Sequence, residues 1–163
     1  MSAKFKAALE ARIKSLKAAK NKVVKIGIVE QQQYEDGTPV AYVAAIHEYG
    51  SPSNNIPPRP FFRPTISAQK QAWANIGKQI LQNGGSAEEV LDSVGDRAKS
   101  DIFETISNID APQLAISTKK ARNRKAHQQA AKYGKKPNAV SIKPLVDTKL
   151  LIHSIGYVVV DKE

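Results

Sequence analysis

The chain has 163 residues and a formal net charge of +10, from 25 Lys and Arg against 15 Asp and Glu. That length suits one domain, 1–163, able to bury a core without staples, and the absence of cysteine excludes a disulfide framework, thiolate catalysis and Cys-based zinc sites. No apolar run approaches the roughly 20 residues that span a bilayer, and the opening MSAKFKAALEARIKSLKAAK lacks the apolar centre of a secretory signal, so we expect no membrane partner and synthesis in the cytoplasm.

Residues 3–18 place Phe5, Leu9, Ile13 and Leu16 at spacings of four, four and three with lysines and Arg12 between them, which predicts an amphipathic helix. Val23–Val29 is short and β-branched and reads as a strand, followed by a turn at Glu35-Asp36-Gly37. The next helix should start at Thr38, with Thr38 as its cap and Pro39 in the first helical position, and end where Gly50 takes a left-handed conformation.

From Ile46 to Ile66 the chain reads IHEYGSPSNNIPPRPFFRPTI. Pro57, Pro58, Pro60 and Pro64 lock their own φ and push the preceding residues toward extended conformations, so 56–60 should form a rigid rod. Arg59 and Arg63 flank Phe61 and Phe62 there. Two guanidinium forks beside aromatic anchors, with Tyr49 just upstream, suit a protein interface better than a small-molecule pocket. Phe61 and Phe62 are consecutive, so one should point into the core and the other outward.

Thr65–Gln82 carries Ile66, Trp73, Ile76, Ile80 and Leu81 in a helical pattern that stops at Asn83-Gly84-Gly85. Ser86 followed by Glu89 forms a capping-box pattern, and Val90, Val94, Ala98, Ile102 and Ile106 then repeat to about Asn108, predicting a helical hairpin. Glu88, Glu89, Asp92, Asp96, Asp101 and Glu104 read as the solvated face of its second arm. Between 117 and 143 there are nine basic and no acidic residues, among them Lys119, Lys120, Arg122, Arg124, Lys125, Lys135 and Lys136. Almost no large apolar side chain accompanies them, so this stretch is expected to be a mobile arm, a loop insertion or an exposed helix, contacting DNA or another subunit. Ile155–Val160 is a final strand. The sum is an α+β fold: a small mixed or antiparallel sheet packed with helices, including a long helix pair.

Charge is segregated along the chain. Residues 1–25 sum to +7 and 117–143 to +9, whereas 26–116 and 144–163 sum to −5 and −1. Such separation favours nucleic acid at the basic face or head-to-tail association of basic on acidic surfaces.

Catalytic constellations fail on spacing. His47-Glu48 is followed by Ser51 where a zinc-protease motif needs its second histidine. His153 and Ser154 are neighbours in sequence and so diverge in direction, and nothing singles out a triad from His47, His127 or His153. Gly84-Gly85 lacks the context of a phosphate loop. We therefore expect no enzyme, no metal and no cofactor.

The 46–66 block resembles the HEFG…IPxRPFxRPxI block of tail-completion and head–tail joining proteins of tailed phages. A second stretch at 143–157, KPLVDTKLLIHSIGY, is similar to that family's KPLxDTGxLxxSIxY ending, in which a short helix leads into the last strand. Lys149 stands where the family usually has glycine. The resemblance implies a structural virion protein of the tail or neck, built in the host cytoplasm. It further implies a homo-oligomeric ring, sixfold by expectation, that contacts the tail tube protein and neck or connector proteins and lies close to packaged DNA. The alternative from composition alone is a nucleic-acid-binding module using the 117–143 arm.

Overall fold

A computed structural model describes residues 3–29, 31–137 and 149–162. The elements run α1 (Ala3–Ala19), β1 (Lys22–Ile28), α2 (Val40–Tyr49), a one-turn 3-10 helix (Pro52–Asn54), α3 (Phe62–Gln82), α4 (Ala87–Asn108), α5 (Ile116–Lys132), α6 (Leu150–His153) and β2 (Ile155–Asp161). This is the α+β architecture that the patterns imply. β1 and β2 pair antiparallel from Lys22 opposite Asp161 to Ile28 opposite Ile155, forming the only sheet among the described residues.

α4 is the central element, packing on both strands on one side and on α3 on the other. Its start follows from local chemistry: Ser86 Oγ accepts the Glu89 N–H at 3.1 Å while the Glu89 carboxylate accepts the Ser86 N–H at 3.3 Å. Two glycines permit its close contacts. A Cβ on Gly95 would lie 2.6 Å from Tyr157 Cε2 of β2, and one on Gly77 of α3 would meet Val90 Cγ1 at 3.0 Å. Ala98 on the same helix is fully buried.

The main core gathers Val40 and Ala44 of α2, Phe61, Ile102 and Ile106 of α4, Leu151 and Ile152 of α6, and Ile155 of β2. Residues far apart in sequence thus share one cluster, and α2 sits against α6 at its edge.

Two helix starts differ from the sequence reading, each for a physical reason. α2 begins one residue past Pro39, and Thr38 does not cap it; the Thr38 N–H is instead taken by Asp36 Oδ1 at 3.0 Å in an Asx turn. α3 begins at Phe62 rather than Thr65, because Pro64 sits in the first turn, where its missing N–H leaves no intrahelical bond unmade. Of the alternatives expected for the basic stretch, residues 116–132 take the exposed helix, α5, without a single buried residue. Its Ala, Lys, Arg and Gln are strong helix formers, so propensity suffices where an apolar face is lacking. Residues 138–143 of the expected arm and 143–148 of the second family-like block lie outside the described residues.

Lys149 precedes α6 with φ 60 and ψ −1, the left-handed region. A side chain there costs about 1–2 kcal/mol, and glycine gives back part of that as chain entropy. Lys149→Gly is therefore expected to stabilise the chain by about 0.5–1 kcal/mol, read as an increased urea midpoint at unchanged slope.

Candidate subunit interface

The 46–66 block is a braced corner. α2 ends at Gly50, whose φ of 77 favours glycine and whose position is doubly restricted, since a Cβ there would meet Ile56 O and Pro58 Cδ at 3.0 Å. Ser51 and Ile56 close the loop with backbone bonds of 2.8 and 3.0 Å, and the Arg59 N–H donates to His47 O at 2.6 Å, bringing the proline segment back alongside α2.

Glu48 then ties the corner to α3. Its buried carboxylate accepts the backbone N–H groups of Phe61 at 2.7 Å and Phe62 at 3.0 Å on Oε2, and that of Arg63 at 3.1 Å on Oε1. Arg63 Nε donates to Oε1 at 2.9 Å, and Arg63 Nη2 to the Glu48 carbonyl at 2.8 Å. A helix N-terminus normally leaves its first N–H groups unpaired; here a carboxylate from another helix satisfies them and complements the helix dipole. Burial alone would raise the Glu48 pKa, but the bonds from Phe61, Phe62 and Arg63 together outweigh it and hold the carboxyl below its ordinary value.

The expected interface residues separate into bracing and presented groups. Phe61 is fully buried in the core, with the Phe62 ring 4.7 Å away and half-buried against the same cluster. Arg59 is 5% exposed, donating from Nε to Pro112 O at 2.8 Å and from Nη2 to Gln113 O at 3.1 Å. The expectation that Arg59 and Phe61 form an outer surface is thereby corrected: both are used inside the subunit. What the corner presents is Tyr49, exposed, with the Arg63 guanidinium 4.7 Å from its ring centroid and its side chain mostly in solvent.

Tyr42 was missed by the sequence reading, yet it belongs to this surface. It is exposed and lies seven residues before Tyr49 on α2, hence on the same helical face, with exposed Ala45 between them. That spacing was the available signal. A tyrosine pair on a small-residue helix face beside an arginine has the composition of interface anchors.

The basic candidates lie on or just after α5. Lys119, Lys120, Arg124 and Lys125 stand on it, with Arg122 half-buried, and Lys135 and Lys136 follow it. Lys125 Nζ pairs with Glu35 at 3.1 Å and Lys119 Nζ reaches Gln113 Oε1 at 3.0 Å, so the helix touches the body through its polar residues. The acidic face of α4 is exposed at Glu88, Glu89, Asp92, Asp96 and Glu104, but Asp101 departs from it. Asp101 is buried, accepts Trp73 Nε1 at 2.7 Å and pairs with Arg97 at 3.0 Å, joining α3 to α4.

The histidines take separate places. His47 is half-buried, and its pKa is lowered to about 4, first by burial and then by the charges of Arg59 and Arg122. His127 and His153 are exposed, and the Ser154 hydroxyl lies 2.7 Å from both Gln32 Oε1 and Leu150 O inside the fold. Among the described residues no group of three or more metal-ligating side chains converges. No protein-family model, curated protein or solved structure matches the chain.

Proposed function

We propose that this chain is a structural virion protein of a tailed phage that acts in tail completion and head–tail joining, assembling as a ring at the tail end or neck. It works by templated association rather than catalysis. The observation that carries the reading is the division of labour in the 46–66 corner: Glu48, Arg59 and Phe61 brace it from within, and Tyr49 and Arg63 stand out from it with Tyr42 beside them. A rigid support under exposed aromatic and guanidinium groups suits a surface that binds protein with little loss of side-chain entropy. The segregated charges complete the scheme. A basic α5 without a buried residue and an acidic α4 face on one subunit favour a heterologous contact, basic on acidic, which closes into a ring. Its partners are then further copies of itself, six by expectation, with tail tube and connector proteins.

Replacing Tyr42 and Tyr49 together by alanine, both exposed on α2, is expected to abolish ring formation and tube-end binding while secondary structure by circular dichroism stays intact. Retained assembly in that variant contradicts the role given to the corner.

A second reading, nucleic-acid binding by α5, draws on that helix carrying six basic residues and no acidic one. It predicts DNA affinity that falls steeply with salt, disappears when the 117–143 cations are neutralised and is unchanged by Tyr49→Ala.

A further inference from the structure

Along the second half of α3 two rows of side chains run at four-residue spacing: Trp73, Gly77 and Leu81 in one, Lys70, Ala74 and Lys78 in the next. With Val90 and Val94 of α4, the first row floors a groove of about 730 Å³, inside the range of about 300–1,000 Å³ for binding clefts. The floor is fixed from below. Trp73 Nε1 donates to buried Asp101 at 2.7 Å, and Gly77 lets the helices approach until a Cβ there would lie 3.0 Å from Val90 Cγ1. The second row forms the rim: all three residues are exposed, and small Ala74 leaves a gap between two lysines that stand about 12 Å apart along the axis, at 1.5 Å per residue.

Charge decides what can cover this floor. α3 contains no acidic residue, neither Lys70 nor Lys78 forms an ion pair among the described residues, and Arg12 of α1 donates from Nη2 to the Leu81 carbonyl at one end of the groove. Asp92 and Asp96 each stand two residues from Val94, about 200° around α4 in either direction, and so project from another face. The apolar stripe of α1, exposed at Phe5, Leu9, Ile13 and Leu16, has lysines beside it, so α1 of a second copy would set cations against cations. We propose that the groove receives an amphipathic helix of a different protein, its apolar stripe laid over Trp73, Leu81, Val90 and Val94 and its carboxylates, two turns apart, meeting Lys70 and Lys78. The surface lies apart from the Tyr42–Tyr49 corner and from α5, and the inference stands whether or not the chain forms a ring.

Trp73 is the single tryptophan of the chain, so its emission reports on this floor. The test titrates the full chain with a synthetic peptide of about 18 residues, roughly five turns of helix, that repeats leucine at i, i+3, i+4 and i+7 with glutamate beside each and carries no aromatic residue. A saturable change in Trp73 emission is expected, half-complete below about 100 µM. The same peptide with lysine for glutamate should bind about tenfold more weakly, and one with serine for leucine should leave the emission unmoved. Lys70→Glu together with Lys78→Glu, both at exposed positions, should reverse the preference between the two charged peptides. No saturable change, equal affinity for the two charged peptides, or an unaltered preference in the double variant overturns the proposal. Emission that shifts when the chain alone is diluted, with its mass falling in step, also overturns it, because the occupant is then a second copy.

Discussion

Glu48→Ala is expected to destabilise the chain by about 3–5 kcal/mol in urea unfolding, the range for breaking a buried charged network and stranding its donors. The substitution leaves the Phe61, Phe62 and Arg63 N–H groups without an acceptor and removes the Arg63 Nε bond, keeping only that of Arg63 Nη2 to the residue 48 carbonyl. Glu48→Gln keeps the shape but removes the charge and turns an amide toward N–H donors, so about 2 kcal/mol is expected for it. The pH dependence has a definite sign. With its folded pKa below the ordinary 4.5, Glu48 contributes stability that is complete above about pH 4.5 and is lost as pH falls through the depressed value. His47 acts in a higher window: its folded pKa of about 4 lies below 6.5, so the unfolded chain takes up the proton first and stability declines from pH 6.5 toward 4. Glu48→Gln should therefore flatten only the lowest part of the acid limb. A full-strength decline below pH 4.5 in that variant would show that other groups carry it.

Phe61→Ala is expected to cost about 3–5 kcal/mol, and Phe62→Ala about half of that. Phe61 has no exposed surface and lies among Val40, Ile102, Ile106 and Leu151, so truncation opens a cavity between α2, α4 and α6. Phe62 is half-buried at the rim of the same cluster, where solvent relieves part of the loss. Equal costs for the two would contradict the assignment of Phe61 to the core, and urea midpoints of the two single variants decide it.

Where local chemistry sets the structure, the sequence was a good guide. The Ser86–Glu89 box, the positive φ at Gly50, the β-branched strands and the α3–α4 hairpin all follow from residues within a few positions of one another. The parts that were not legible depend on long-range partners. α3 starts early where a carboxylate fourteen residues before Phe62 reaches its N-terminus, a contact no local pattern announces. Consecutive phenylalanines pointed to one inward ring, but choosing Phe61 required the corner that Glu48 makes. Arg59 looked like a surface fork because its acceptors, Pro112 O and Gln113 O, are backbone atoms more than fifty residues away. Asp101 likewise follows the acidic periodicity of α4 and is withdrawn from it by Trp73. Tyr42 was readable from its spacing to Tyr49, and α5 from its helix-forming composition.

The central claim, a ring-forming joining subunit, is tested most directly by the mass of the purified chain in solution by light scattering, alone and after mixing with phage tail tubes. The account predicts a discrete ring, or a monomer that adds to tube ends in defined number. A monomer that ignores tubes at every ratio, and instead gains mass with a DNA duplex at low salt, would contradict it.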